Sequence, residues 1–229
     1  ALVGYAQGTT IQDINVSGSV DASKSVGGIV GHASNTSTLT RVKMSGLVGS
    51  IHSLASIGGI AGFLEYATVT KASSAASVSG ASTGTPSVGV GGLFGTVYPN
   101  VIISESSATG NVLGSDYIGG VVGEMQSGSS VTDTFATGSV MGNWQVGGLV
   151  GKNLGQVSRS YVTGTVVATQ AQVTVGGIGG QNYGDLFTDM VWNPITTGQA
   201  SPGVVFDGSG MPPNTATGLT SDQMRYGSN

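Results

Sequence analysis

Short apolar runs punctuated by glycine recur along this chain at a nearly fixed interval. Val26-Gly-Gly-Ile-Val-Gly31 returns as Ile57-Gly-Gly-Ile-Ala-Gly62, Val90-Gly-Gly-Leu-Phe-Gly95, Ile118-Gly-Gly-Val-Val-Gly123, Val146-Gly-Gly-Leu-Val-Gly151 and Val175-Gly-Gly-Ile-Gly-Gly180. Successive starts lie 31, 33, 28, 28 and 29 residues apart, and Leu2-Val3-Gly4 is a truncated copy. Such a period marks a solenoid, in which each coil buries its apolar face by stacking on the next. A second apolar column runs Ile11, Leu39, Val69, Ile103, Val131, Val157 and Phe187, and a third runs Val20, Val48, Val78, Val112, Val140 and Val166. These segments are short, rich in β-branched residues and bounded by Gly, Ser and Asn, which reads as strand. No stretch repeats apolar residues at helical spacing over three turns. The pattern predicts an all-β chain: a parallel β-helix (β-solenoid) of about seven coils over 1–193, expected to be right-handed as parallel β-helices generally are, and an irregular tail, 194–229, packed as a cap.

The polar positions sharpen this picture. After each apolar residue of the second column comes Gln12, Thr40, Thr70, Ser104, Thr132, Ser158 or Thr188, and then a charge: Asp13, Arg41, Lys71, Glu105, Asp133, Arg159 and Asp189. In-register stacking would make Asp13–Arg41, Lys71–Glu105, Asp133–Arg159 and Arg159–Asp189 opposite-charge neighbours, with Arg41–Lys71 and Glu105–Asp133 alike. A charge ladder on the outer face is expected, and these seven residues are the candidate recognition surface. Gly147, Gly148 and Gly151 are expected where the chain bends or coils approach closely, since glycine alone takes positive φ freely. A further Gly column, Gly18, Gly46, Gly110, Gly138 and Gly164, has Ala76 in one coil, which implies negative φ or a local distortion there. His32 to Ser37 and Ala81 to Ser87 are expected to protrude as loops and to account for the two longest spacings. In the tail, Thr220 or Ser221 is placed to cap a helical turn with Asp222 near its N-terminus. Trp192, Val204, Val205, Phe206, Leu219 and Met224 are expected to cover the last coil.

Composition then narrows the function classes. Charged residues make up 8% of the 229, against about 25% in an average domain. With seven Lys plus Arg and a net charge of −4, a nucleic-acid partner is not expected. There is no Cys, which excludes thiolate nucleophiles and Cys-based zinc sites. No apolar run reaches the ~20 residues of a membrane-spanning helix, so no membrane insertion is expected. Ala1-Leu2-Val3-Gly4 starts within a repeat, which suggests a piece of a longer polypeptide.

Residues 146 to 166, Val-Gly-Gly-Leu-Val-Gly-Lys-Asn-Leu-Gly-Gln-Val-Ser-Arg-Ser-Tyr-Val-Thr-Gly-Thr-Val, resemble the GLUG motif. The run from Trp192-Asn193 to Gly218-Leu-Thr-Ser-Asp-Gln-Met also resembles the segment that commonly comes after the last such repeat. GLUG repeats occur in large bacterial surface and secreted proteins, among them filamentous-haemagglutinin-like adhesins. The resemblance implies an extracellular location and a stalk or adhesion role, and it brings no catalytic motif.

Candidate chemistry is sparse. There is no His-Glu-x-x-His, and His32 and His52 are the only histidines; no metal or cofactor is expected. Glu105 and Asp133, stacked in one column, are a candidate acid–base pair if one pKa is raised. Tyr66, Tyr98, Tyr117, Trp144 and Tyr183 fall near turns and could form a carbohydrate stripe. Three functions compete: a non-enzymatic rigid spacer that displays adhesive loops to a host glycan or protein, a homo-oligomer or filament joined through open solenoid ends, and a carbohydrate-binding or carbohydrate-active β-helix.

Overall fold

The computed structural model describes residues 1–52, 55–80, 89–170, 173–184, 187–205 and 215–226. Three parallel ladders run along a solenoid of about seven turns. In the coil that starts at Val146, Gln145–Gly147 belongs to a six-stranded ladder and Val150–Asn153 to an eight-stranded one. Gln156–Ser158, Tyr161–Val162 and Val166–Ala168 belong to the remaining, larger sheet.

The register is the one the repeats predict. Val26, Ile57, Val90, Ile118, Val146 and Val175 pair in sequence from coil to coil. Ile11, Leu39, Val69, Ile103, Val131 and Val157 do the same, as do Val20, Val48, Val78, Val112, Val140 and Val166. Each column points inward and is buried from Val26, Leu39 and Val48 onward, Val175 only partly. A one-residue slip would turn a whole column out to solvent, so the apolar pattern itself fixes the register.

Glycine does a different job here from the one positive φ would give it. None of Gly147, Gly148 and Gly151 has positive φ. A Cβ at Gly147 would instead fall on the carbonyl oxygen of Val150 and come within 2.6 Å of the backbone nitrogen of Gly180. The Gly-Gly strand and the next strand fold so tightly that only a hydrogen fits between their backbones. Ala76 is fully buried with negative φ, whereas Gly18 and Gly46, in the two coils before it, have φ of 130° and 113°. Those first coils carry single twelve-residue strands, Thr10–Asp21 and Thr38–Gly49, where later coils break at the corner.

One expectation about loops needs correction. His32 to Ser37 does not protrude: His32 belongs to a strand, Val30–Ser34, and Ser37 is fully buried with its hydroxyl donating to the Ser34 carbonyl at 2.6 Å. The extra residues of that coil come after Val48, around Ile51, which is 82% exposed. Ala81 to Ser87 lies outside the described residues.

The tail adds to the ladders. Val204–Val205 pairs with Gly179–Asn182, and Thr217–Gly218 with Val191–Trp192. Ahead of both added strands sits α1, Pro194–Thr197, with Asn193 as N-cap accepting from Ile195 N and Thr196 N and Gly198 as left-handed C-cap. Trp192 is buried, and its indole N–H donates to the Gln199 carbonyl. The second helix, α2, spans Ser221–Tyr226. Thr220 and Gln223 cap it reciprocally: the Gln223 amide nitrogen donates to the Thr220 hydroxyl, and the Thr220 amide nitrogen to Gln223 Oε1. Leu219 and Met224 are half-buried there; Phe206 lies outside the described residues.

Candidate functional site

The seven charged residues share a backbone state. Asp13, Arg41, Lys71, Glu105, Asp133, Arg159 and Asp189 all have φ between 45° and 59°. Each is a left-handed kink just after the second apolar column, within the twelve-residue strand in the first two coils and at the strand's end in the coils from Val69 to Val157. Left-handed backbone costs an L-residue roughly 1–2 kcal/mol, least for side chains unbranched at Cβ. All seven are unbranched, and a corner facing water suits a charge. The left-handed position that glycine usually takes is thus held here by charged residues.

Three of the four expected opposite-charge contacts form. Arg41 grips Asp13 through two nitrogens, with Nη2 2.7 Å from Oδ2. Arg159 donates to both Asp133 oxygens at 2.9 and 2.8 Å and to Thr132 Oγ1 at 2.6 Å. Lys71 Nζ lies 3.5 Å from Glu105. The fourth is not an ion pair: Asp189 acts on Arg159 only at longer range, and its amide nitrogen donates to Thr215 Oγ1. Hydrogen bonds from Arg41 and Arg159 hold the Asp13 and Asp133 carboxyls below the usual carboxylate range and raise the two guanidinium values. The raised pKa that acid–base work by Glu105 and Asp133 requires is therefore absent from Asp133: each carboxylate pairs with its own cation, Glu105 with Lys71 and Asp133 with Arg159.

A second layer of polar side chains lies outside the sequence expectations. Where the Gly-Gly strand folds against the next strand, the outer faces of two ladders meet in a narrow seam. Glu124, 7% exposed, accepts from Lys152 Nζ at 3.1 Å and from Gln126 Nε2 at 2.9 Å. Lys152 also lies over the Tyr117 ring at 4.9 Å. Burial lowers the Lys152 pKa, but the hydrogen bond and charge of Glu124, helped by Tyr117 and Tyr183, outweigh it and leave the value raised. Toward the N-terminus the seam becomes an aromatic ladder: Tyr5, His32, Phe63 and Tyr98 stand in succession with ring centroids 4.9, 4.6 and 4.6 Å apart. Burial lowers the His32 pKa against the opposing charge of Glu65, and His32 Nε2 has no hydrogen-bond partner. The signal for this column is the residue after the last glycine of each repeat: Tyr5, His32, Phe63, Thr96, Glu124, Lys152 and Gln181.

Tyr98, Tyr117 and Tyr183 of the expected aromatic stripe reach the seam; Tyr66 is a left-handed turn residue, and Trp144 is exposed. Among the described residues no three His, Cys, Asp or Glu side chains are grouped to hold a metal ion, and no helix is long and apolar enough to cross a membrane.

These features define a parallel β-solenoid built from one repeated coil. A family model for the GLUG motif matches residues 142–167, the coil that carries Val146-Gly-Gly-Leu-Val-Gly151. No curated protein and no solved structure matches the chain.

Proposed function

We propose that this chain is a non-enzymatic structural and adhesive segment of a large bacterial surface protein, a rigid extracellular spacer that displays its corners and loops. The observation that carries the reading is the unbroken register of three apolar columns through successive coils. A stack of this kind is stiff along its axis because each coil's backbone is bonded to its neighbours. The GLUG match supports the same reading. Attachment is tested with beads coated with the chain and applied to host cells. Specific adhesion, competed by free protein, is expected; beads that bind no better than albumin-coated ones would overturn the adhesive role.

A second reading is self-assembly into a filament. It would extend to a second copy, by strand addition, the parallel coil-to-coil pairing that runs through this chain. Light scattering over a concentration series tests it: growth of long particles supports a filament, and a monomer at all concentrations removes it.

A further inference from the structure

The C-terminal end of the larger sheet holds a groove of about 750 Å³, within the ~300–1,000 Å³ common for ligand sites. Its aromatic element is Tyr161. One face of that ring is stacked on Phe135, with centroids 4.9 Å apart and planes 6° from parallel. On the other side the register partner is Val191, too short to cover a phenol ring, and Tyr161 stays 40% exposed. Leu219 and Met224 complete an apolar lining.

The rim is polar. Helix α2 forms one wall and presents Ser221 and Arg225, while Thr163 borders the groove from the sheet. The wall is fixed at its start by the Thr220–Gln223 cap and by Asn193 Nδ2, which donates to Ser221 Oγ at 2.8 Å. The Ser221 hydroxyl accepts that bond and so keeps its proton to donate outward. Arg225 is one of seven Lys and Arg in an acidic chain, and among the described residues no carboxylate lies within 4.0 Å of it.

We infer that this groove binds an acidic saccharide. A pyranose ring has an apolar C–H face that suits the exposed face of Tyr161, since an aromatic face is apolar and electron-rich. Its hydroxyls reach Thr163 and Ser221, and a uronate-type carboxylate meets the Arg225 guanidinium in a charge-assisted, planar contact. The site lies at the solenoid's end, and its lining includes none of the seven residues of the charge ladder. The inference rests on the adhesive reading and names what is gripped.

The test is calorimetric titration of the whole chain with oligogalacturonate and with neutral cello-oligosaccharide. Acidic oligomers are expected to bind more tightly than neutral ones. Tyr161→Leu, which keeps apolar bulk but removes the ring, is expected to weaken both at least tenfold. Arg225→Gln is expected to erase the acidic preference while leaving neutral binding. Arg225 is exposed, so this variant carries the test alone if Tyr161→Leu fails to fold. No binding, or binding unchanged by these substitutions, overturns the site. Cell adhesion without saccharide binding would sink this inference and leave the adhesive reading standing; saccharide binding without adhesion would do the reverse.

Discussion

At the scale of single residues, the corners set two opposing effects against each other. Left-handed backbone disfavours Lys71, while its exposed ion pair with Glu105 is worth about 0–1 kcal/mol. Asn tolerates the left-handed region better than Lys does. Lys71→Asn is therefore expected to raise stability by roughly 0.5–1 kcal/mol, and Lys71→Val, branched at Cβ, to lower it by about 1–2 kcal/mol. Urea unfolding of the pair checks both signs; a more stable Val variant would contradict the left-handed corner. His32 supplies a pH effect. Its folded pKa lies below the ordinary 6.5, so the unfolded chain binds more protons between the two values, and stability rises with pH through that window. Above 6.5 the penalty is absent; below the folded value it is fully present. Asp13 and Asp133 titrate lower, since their stabilisation is present above 3.8 and is lost as pH falls through their depressed values. His32→Phe would extend the aromatic ladder and remove the unpartnered nitrogen. An acid titration of melting temperature should lose its slope just below pH 6.5 in that variant while keeping the fall at lower pH.

At the scale of elements, the seam pairs a buried carboxylate with a partly exposed amine. Breaking a buried ion pair by removing one partner typically costs about 3–5 kcal/mol, while replacing both by apolar groups is often neutral. Lys152 keeps 22% side-chain exposure, so Glu124→Leu alone is expected to cost about 2–3 kcal/mol, and Glu124→Leu with Lys152→Met less than the single change. A double-mutant cycle by chemical denaturation measures this; additive losses would show that the pair is not coupled. The cap has its own weak point. Asn193 satisfies two amides of α1 and holds Ser221, the first residue of α2. Asn193→Ala is expected to cost about 1–2 kcal/mol and to raise hydrogen exchange in the tail before the coils.

The same elements show what is legible in the sequence. Strands, register and corner pairs can be read because repeats align chemistry by column: Asp13–Arg41 and Asp133–Arg159 fall out of simple stacking. The Thr220 cap is legible from local residue types. The Asn193-Pro194 helix start with Gly198 is equally local, yet Pro194 after a strand reads first as a strand end. The Glu124–Lys152 seam escapes such reading because strand alternation marks those positions as outward, hence wet. Only the close folding of two ladders at Gly147 makes an outward position dry. The Arg159–Asp189 contact does not form because column alignment gives which residues are neighbours, not which way a long side chain turns at a left-handed corner. The groove at Tyr161 needs α2 as a wall, and no column contains that.

At the scale of the molecule, the coils stack in parallel register and advance by one strand spacing each. Thr10, Thr38, Thr68, Ile102, Ser130 and Gln156 occupy successive positions on one ladder. Five steps at ~4.8 Å place Thr10 and Gln156 about 24 Å apart. The chain has no Cys, so Thr10→Cys with Gln156→Cys can carry two spin labels without background. Pulsed electron-spin distance measurement on that pair reads the stack directly. A stacked solenoid gives one narrow distribution centred near ~24 Å, widened only by the label arms. A broad distribution reaching toward the ~60–70 Å of a flexible chain of that length, or several separate distances, would contradict it.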